Sequence, residues 1–98
     1  MNFRLAPRAL LEAKRKKTWW QTNRPSAPDL FDEEMQATIE RIRSSPTTTG
    51  RAYPATFRAP VRCVLLPKTE NHLFYAVRDG EIVILSVWGA RKKHGPKL

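Results

Sequence analysis

Residues 73–88 read LFYAVRDGEIVILSVW, two apolar runs hinged on Asp79-Gly80. In the first, Leu73, Tyr75 and Val77 alternate with His72, Phe74, Ala76 and Arg78, which is the two-residue period of a pleated strand. Asp-Gly suits a type I′ turn, because both central residues of that turn need positive φ. The second run, Glu81 to Trp88, is apolar on both faces from Ile82 to Leu85, so it belongs inside a sheet with both faces covered. An antiparallel hairpin over 72–88, its second strand central, is the anchor for the remaining chain.

Working upstream, Val61, Cys63 and Leu65 alternate with Arg62, Val64 and Leu66, a further strand that Pro67 ends. Arg51 to Phe57 adds a possible edge strand, since Pro54 and Pro60 are tolerated only there. Before it the period lengthens. Phe31, Met35, Ile39 and Ile42 recur at four, four and three residues, the apolar stripe of a helix with Ser26 as N-cap, Pro28 in its first turn and Pro46 as its stop. An earlier helix runs from about Pro7 to Thr22, with proline at its first turn and the Lys14 to Lys17 cations towards its C-terminal end. Asn2 to Leu5 alternates as a short opening strand, and Gly89 to Leu98 is a basic, weakly ordered tail. The expected architecture is a single α+β domain, 1–98: a helix hairpin packed on one face of a small, mainly antiparallel sheet of three to four strands.

Composition narrows the function. The 98 residues carry 18 Lys plus Arg against 9 Asp plus Glu, a net charge of +9. Residues 1–24 hold +6, residues 25–45 hold −3 and residues 46–98 hold +6, so an anionic partner meets the two ends of the chain rather than its middle. Cys63 has no second cysteine to pair with, which favours a reducing, cytoplasmic setting. No apolar run approaches the ~20 residues that span a bilayer, so no membrane association is expected. His72 and His94 with one cysteine lack metal-ligand spacing, and the four glycines form no phosphate loop; no metal or cofactor is expected. Asp29, Asp32, Glu33 and Glu34 are better explained by the dipole of a helix start than as a hydrolytic pair.

The basic residues carry more information. Arg58, Arg62, Arg78, Arg91, Lys92 and Lys93 fall on or beside the strands, with Trp88 and Tyr75 available for stacking; Arg62, on the pleat opposite Cys63, is expected on the sheet's open side. Trp19 and Trp20 lie about 100° apart on their helix, so one is core and the other partly exposed.

The order of helix hairpin, Pro46 to Arg51, Val61-Arg62, Leu73-Phe74-Tyr75-x-Val77, Asp79-Gly80, Ile82 to Leu85 and Val87-Trp88 with Arg91 behind it resembles the RelE/ParE superfamily of bacterial type II toxins, the ParE side most. The resemblance implies a growth-inhibiting toxin neutralised by a cognate, adjacently encoded antitoxin with an acidic segment, for which Lys14, Lys17, Trp19 and Trp20 are the candidate contacts. It implies two alternative targets. ParE-like members inhibit DNA gyrase, with Arg62, Arg78, Trp88, Arg91, Lys92 and Lys93 as candidate target-binding residues here. RelE-like members cleave messenger RNA on the ribosome without a metal, and for that chemistry Arg58, Arg62 and Arg91 would hold phosphate with His94 as acid or base. The chain departs from both patterns: no tyrosine follows Tyr75, and Gly89 stands where many ParE-like chains have histidine. A nucleic-acid-binding module without toxicity is the third alternative.

Overall fold

Asp79 and Gly80 take φ of 53° and 72° in the computed structural model, which describes residues 1–98, so the turn that hinges the sheet is of the expected kind. The elements in chain order are β1 (Asn2–Leu5), α1 (Pro7–Asn23), α2 (Leu30–Ser44), β2 (Arg51–Tyr53), β3 (Val61–Leu66), β4 (Asn71–Arg78) and β5 (Glu81–Gly89). The strands form one five-stranded sheet, β1-β5-β4-β3-β2. The sheet has one strand more than the three to four expected, because the opening strand joins it. The opening strand pairs in parallel with β5, Phe3 against Ile82 and Leu5 against Ile84, while every other pairing is antiparallel. That register gives β5 two neighbours and leaves β2 at an edge, as its flanking prolines require.

Both helices lie on one face. Phe31, Met35, Ile39 and Ile42 of α2 and Ala9 of α1 pack with Val64, Leu66, Leu73, Tyr75, Ile82, Ile84 and Val87 in a single buried cluster. The α2 stripe is the predicted one, but its start is not. Ser26 and Pro28 belong to the preceding turn, and Asp29 takes the cap position, without a side-chain cap bond. Helix α1 turns small residues inward, Ala9 fully and Ala13 in part, which leaves Leu10 and Leu11 45% and 50% exposed.

Two carboxylates, Glu12 half-buried and Glu34 buried, tie helices to sheet. Glu12 of α1 accepts the Val87 N–H at 3.0 Å and the Ser86 hydroxyl at 2.8 Å, serving β5 where β1 has ended. Glu34 of α2 accepts the N–H groups of Lys68 and Thr69 and the Thr69 hydroxyl, which fixes the turn between β3 and β4. Such charge-assisted bonds are about twice as strong as neutral ones and satisfy backbone donors that burial would otherwise strand. No helix is long and apolar enough to cross a membrane.

Candidate functional site

The sheet's other face carries no helix. Val61, Cys63, Phe74, Ala76, Val83 and Leu85 form its buried centre, with Tyr53, Phe57, Ala59, Trp88 and Leu98 packed around them. The cover therefore comes from the 54–60 loop and the C-terminal tail. Here the tail departs from the expected weak order, because its carbonyls are fastened one after another. Trp88 Nε1 donates to His94 at 2.6 Å, the Tyr53 hydroxyl to Pro96 at 3.0 Å, Arg8 to Lys97 at 3.0 Å, and the Thr56 N–H and hydroxyl to Leu98 at 2.8 and 2.9 Å.

Between tail and sheet lies a cleft of about 130 Å³, lined by Arg51, Tyr53, His72, Phe74 and Trp88 and by every tail residue from Gly89 to Gly95 except Arg91. The register explains the assembly: Arg51 lies opposite Cys63, and His72 lies between Leu65 and Trp88. Lys92 Nζ stands 4.2 Å from the Trp88 ring centre, and the Arg8 guanidinium 5.5 Å from it. Burial, and then the Arg51 charge, lower the His72 pKa, so its imidazole is neutral at pH 7. Burial raises the Cys63 thiol, with Arg51 opposing the shift, so this cysteine is an unreactive core residue. No group of three or more His, Cys, Asp or Glu is arranged to hold a metal ion. The cleft offers cations, a neutral imidazole and an indole face, a combination that binds anionic and aromatic groups together.

Of the residues expected at a target-binding surface, Trp88, Lys92 and Lys93 meet here, and His94 joins them. The others do not. Arg62 lies with Val64 and Leu66 on the helix face, not the open one, and its guanidinium is committed to the carbonyls of Thr49 and Gly50, both at 2.8 Å, and of Thr48. The Tyr75 hydroxyl is held beside the same loop, 2.8 and 3.0 Å from the Pro46 and Thr49 carbonyls. Arg78 is paired with Glu81 in register, six residues along β4 from His72, or roughly 20 Å at strand rise. Arg91 turns away from the cleft to Glu70, and Arg58 sits exposed on the 54–60 loop. The phosphate-binding set Arg58, Arg62, Arg91 and His94 is therefore not assembled.

The four residues nominated for an antitoxin also divide. Lys17 pairs with Asp32 of α2 at 2.9 Å, Trp20 packs partly into the core, Lys14 is exposed, and Trp19 stands 47% exposed with the Arg24 guanidinium 5.3 Å from its ring centre. Arg51, Tyr53 and His72 are cleft residues that sequence reasoning did not nominate. The alternation of β4 carried the signal for His72, which shares a pleat face with Phe74.

No protein-family model matches the chain, and no curated protein matches it. Among solved structures, the fold is similar to a chain of the chromosomal ParDE TA system from P. aeruginosa, at 17% identity and a TM-score of 0.64 over 93% of this chain and 97% of that one. It is also similar to the YoeB dimer from Staphylococcus aureus, at 17% identity and a TM-score of 0.61 over 90% and 94%. The α+β fold, two N-terminal helices on a five-stranded mixed sheet, is thus shared with these two structures, and it is the fold that the order of motifs led one to expect.

Proposed function

We propose that this chain is the toxin of a type II toxin–antitoxin pair, acting in the cytoplasm by binding a macromolecular target in the manner of ParE, with DNA gyrase the first target to test. The observation that carries the reading is the likeness to a ParDE chain over nearly the whole of both molecules. The cation and indole cleft supports it with a surface suited to recognition. Helix α1 supplies further support, since its exposed Leu10 and Leu11 beside a strongly basic face suit an acidic, partly apolar antitoxin segment that folds on binding.

Scattering of the candidate phosphate ligands favours binding over cleavage, as do the two tyrosine hydroxyls already engaged with carbonyls. One observation keeps the RelE-like nuclease as a second reading: His72 and His94 line the same cleft, so two imidazoles stand where an acid and a base would be required.

Expression of the chain with and without its neighbouring open reading frame tests the toxin reading; growth arrest only in the absence of the neighbour is expected. Normal growth in both cases would sink it. Supercoiling by gyrase, assayed beside messenger cleavage on programmed ribosomes, then separates the two mechanisms. Trp88→Ala should weaken toxicity under either, whereas His72→Gln should abolish only cleavage.

A further inference from the structure

Away from the cleft, the C-terminal half of α1 and the turn between β3 and β4 enclose a groove of about 420 Å³, and a cavity of about 460 Å³ continues it past Gly89. The two share Trp19, Arg24, Thr69 and Glu70 and form one surface. Arg15, Lys16, Arg24 and Lys68 line the first part, and Arg91 and Lys92 the second. Glu70 is the one carboxylate among them, and Arg91 already occupies it, at 2.9 Å. None of the other five cations makes an ion pair: Arg24 rests over Trp19 and Lys92 over Trp88 instead. Lys16 is half-buried, and its ammonium is held below its usual pKa by burial first and then by the Lys92 charge. Unbalanced positive charge of this kind is relieved by an anion with several charges in a row.

The rest of the lining says which polyanion. No aliphatic side chain faces either cavity, so an amphipathic peptide helix would find no pockets for its anchors. The apolar surface is indole: Trp19 and Trp20 meet edge to face at 5.6 Å, and Trp19 is half exposed at the rim. The neutral side-chain donors are spent internally, the Asn71 amide on Thr69 and the Thr69 hydroxyl on Glu34. Charges and rings are the main groups left to meet a ligand.

We infer that this groove binds a single-stranded polynucleotide without regard to sequence, its phosphates on Arg15, Lys16 and Arg24 and a base against Trp19. With its neutral side-chain donors spent and its cations taken up by phosphates, the groove binds DNA and RNA alike. The groove itself lies outside the cleft, which its continuation meets only at Gly89 and Lys92, and it does not depend on the toxin reading.

Fluorescence anisotropy of the full chain with end-labelled oligothymidine and oligouridine of about 12 nucleotides tests it. Both are expected to bind, within about threefold of each other. Trp19→Ala should weaken both roughly 5- to 100-fold, and Trp19→Phe should recover part of the loss. Lys16→Gln should reduce the slope of log affinity against log salt by about 0.7, whereas Lys14→Gln, the same charge lost from the same helix outside the groove, should change it by less than half of that. The inference is overturned by any of four results: no binding of either oligomer at about 50 mM salt; unchanged affinity in Trp19→Ala; equal effects of Lys16→Gln and Lys14→Gln; or polyglutamate of equal charge displacing the oligomers as well as they displace themselves.

Discussion

His72 shows how one residue acquires a property that its type does not have. It stands between Leu65 and Trp88 in the sheet register, and its partly buried ring lies 6.2 Å from the Phe74 ring, so charging it costs more here than in water. Burial first, then Arg51, place its folded pKa below the ordinary 6.5. The unfolded chain therefore takes up a proton at a pH where the folded chain does not. Stability from this residue is complete above pH 6.5, declines as pH falls below that value, and is lost once the folded pKa is passed. An NMR titration of the His72 ring should give a midpoint below 6.5, and Arg51→Gln should raise it without restoring 6.5, since burial is the larger cause. A midpoint at or above 6.5 would contradict the geometry of the cleft.

Among the elements, two glycines with similar backbone angles should behave differently. Gly80 has φ 72° in the β4–β5 turn with open space where a Cβ would stand, and Gly50 has φ 76° with its Cβ position driven into the Cys63 carbonyl of the neighbouring strand. Gly80→Ala should cost about 1 kcal/mol, the left-handed penalty alone. Gly50→Ala should cost roughly 3 kcal/mol or more, because β2 must leave β3 to make room; urea unfolding of both variants measures the difference, and equal losses would show that the edge pairing is slack. The Asp79-Gly80 turn, three strands and both helices were legible because their signals are local: a period, a dipeptide, a proline. The parallel pairing of β1 was not, since four largely exposed residues find their partner nearly 80 positions later. For Arg62 the alternation correctly opposed it to Cys63, but which face the helices cover is settled by the packing of α1 and α2, and no strand period encodes that. The tail's docking left no signature either, because main-chain carbonyls make the contacts and any residue supplies one.

Across the whole molecule, folding brings the two basic ends of the chain together. Arg8 near the start reaches both Trp88 and the Lys97 carbonyl, and Lys16 feels the charge of Lys92, so cations from both basic segments meet in one region. The radius of gyration, 13.0 Å, is that of a folded chain of about 100 residues with no trailing end. What keeps these charges in place is the strap from His94 to Leu98, which contributes little to the central sheet and much to the loop it fastens. Removing Gly95–Leu98 takes away the acceptors of Tyr53, Thr56 and Arg8 while leaving every strand pairing intact. The truncated chain should keep its far-UV circular dichroism and lose only a few degrees of Tm. In the same chain, hydrogen exchange should quicken through residues 53–60, and, on the proposed function, growth inhibition should weaken through disorder of Lys92 and Lys93. Unfolding of the sheet, or protection of 53–60 equal to that of the full chain, would show that the tail is not the fastening its hydrogen bonds describe.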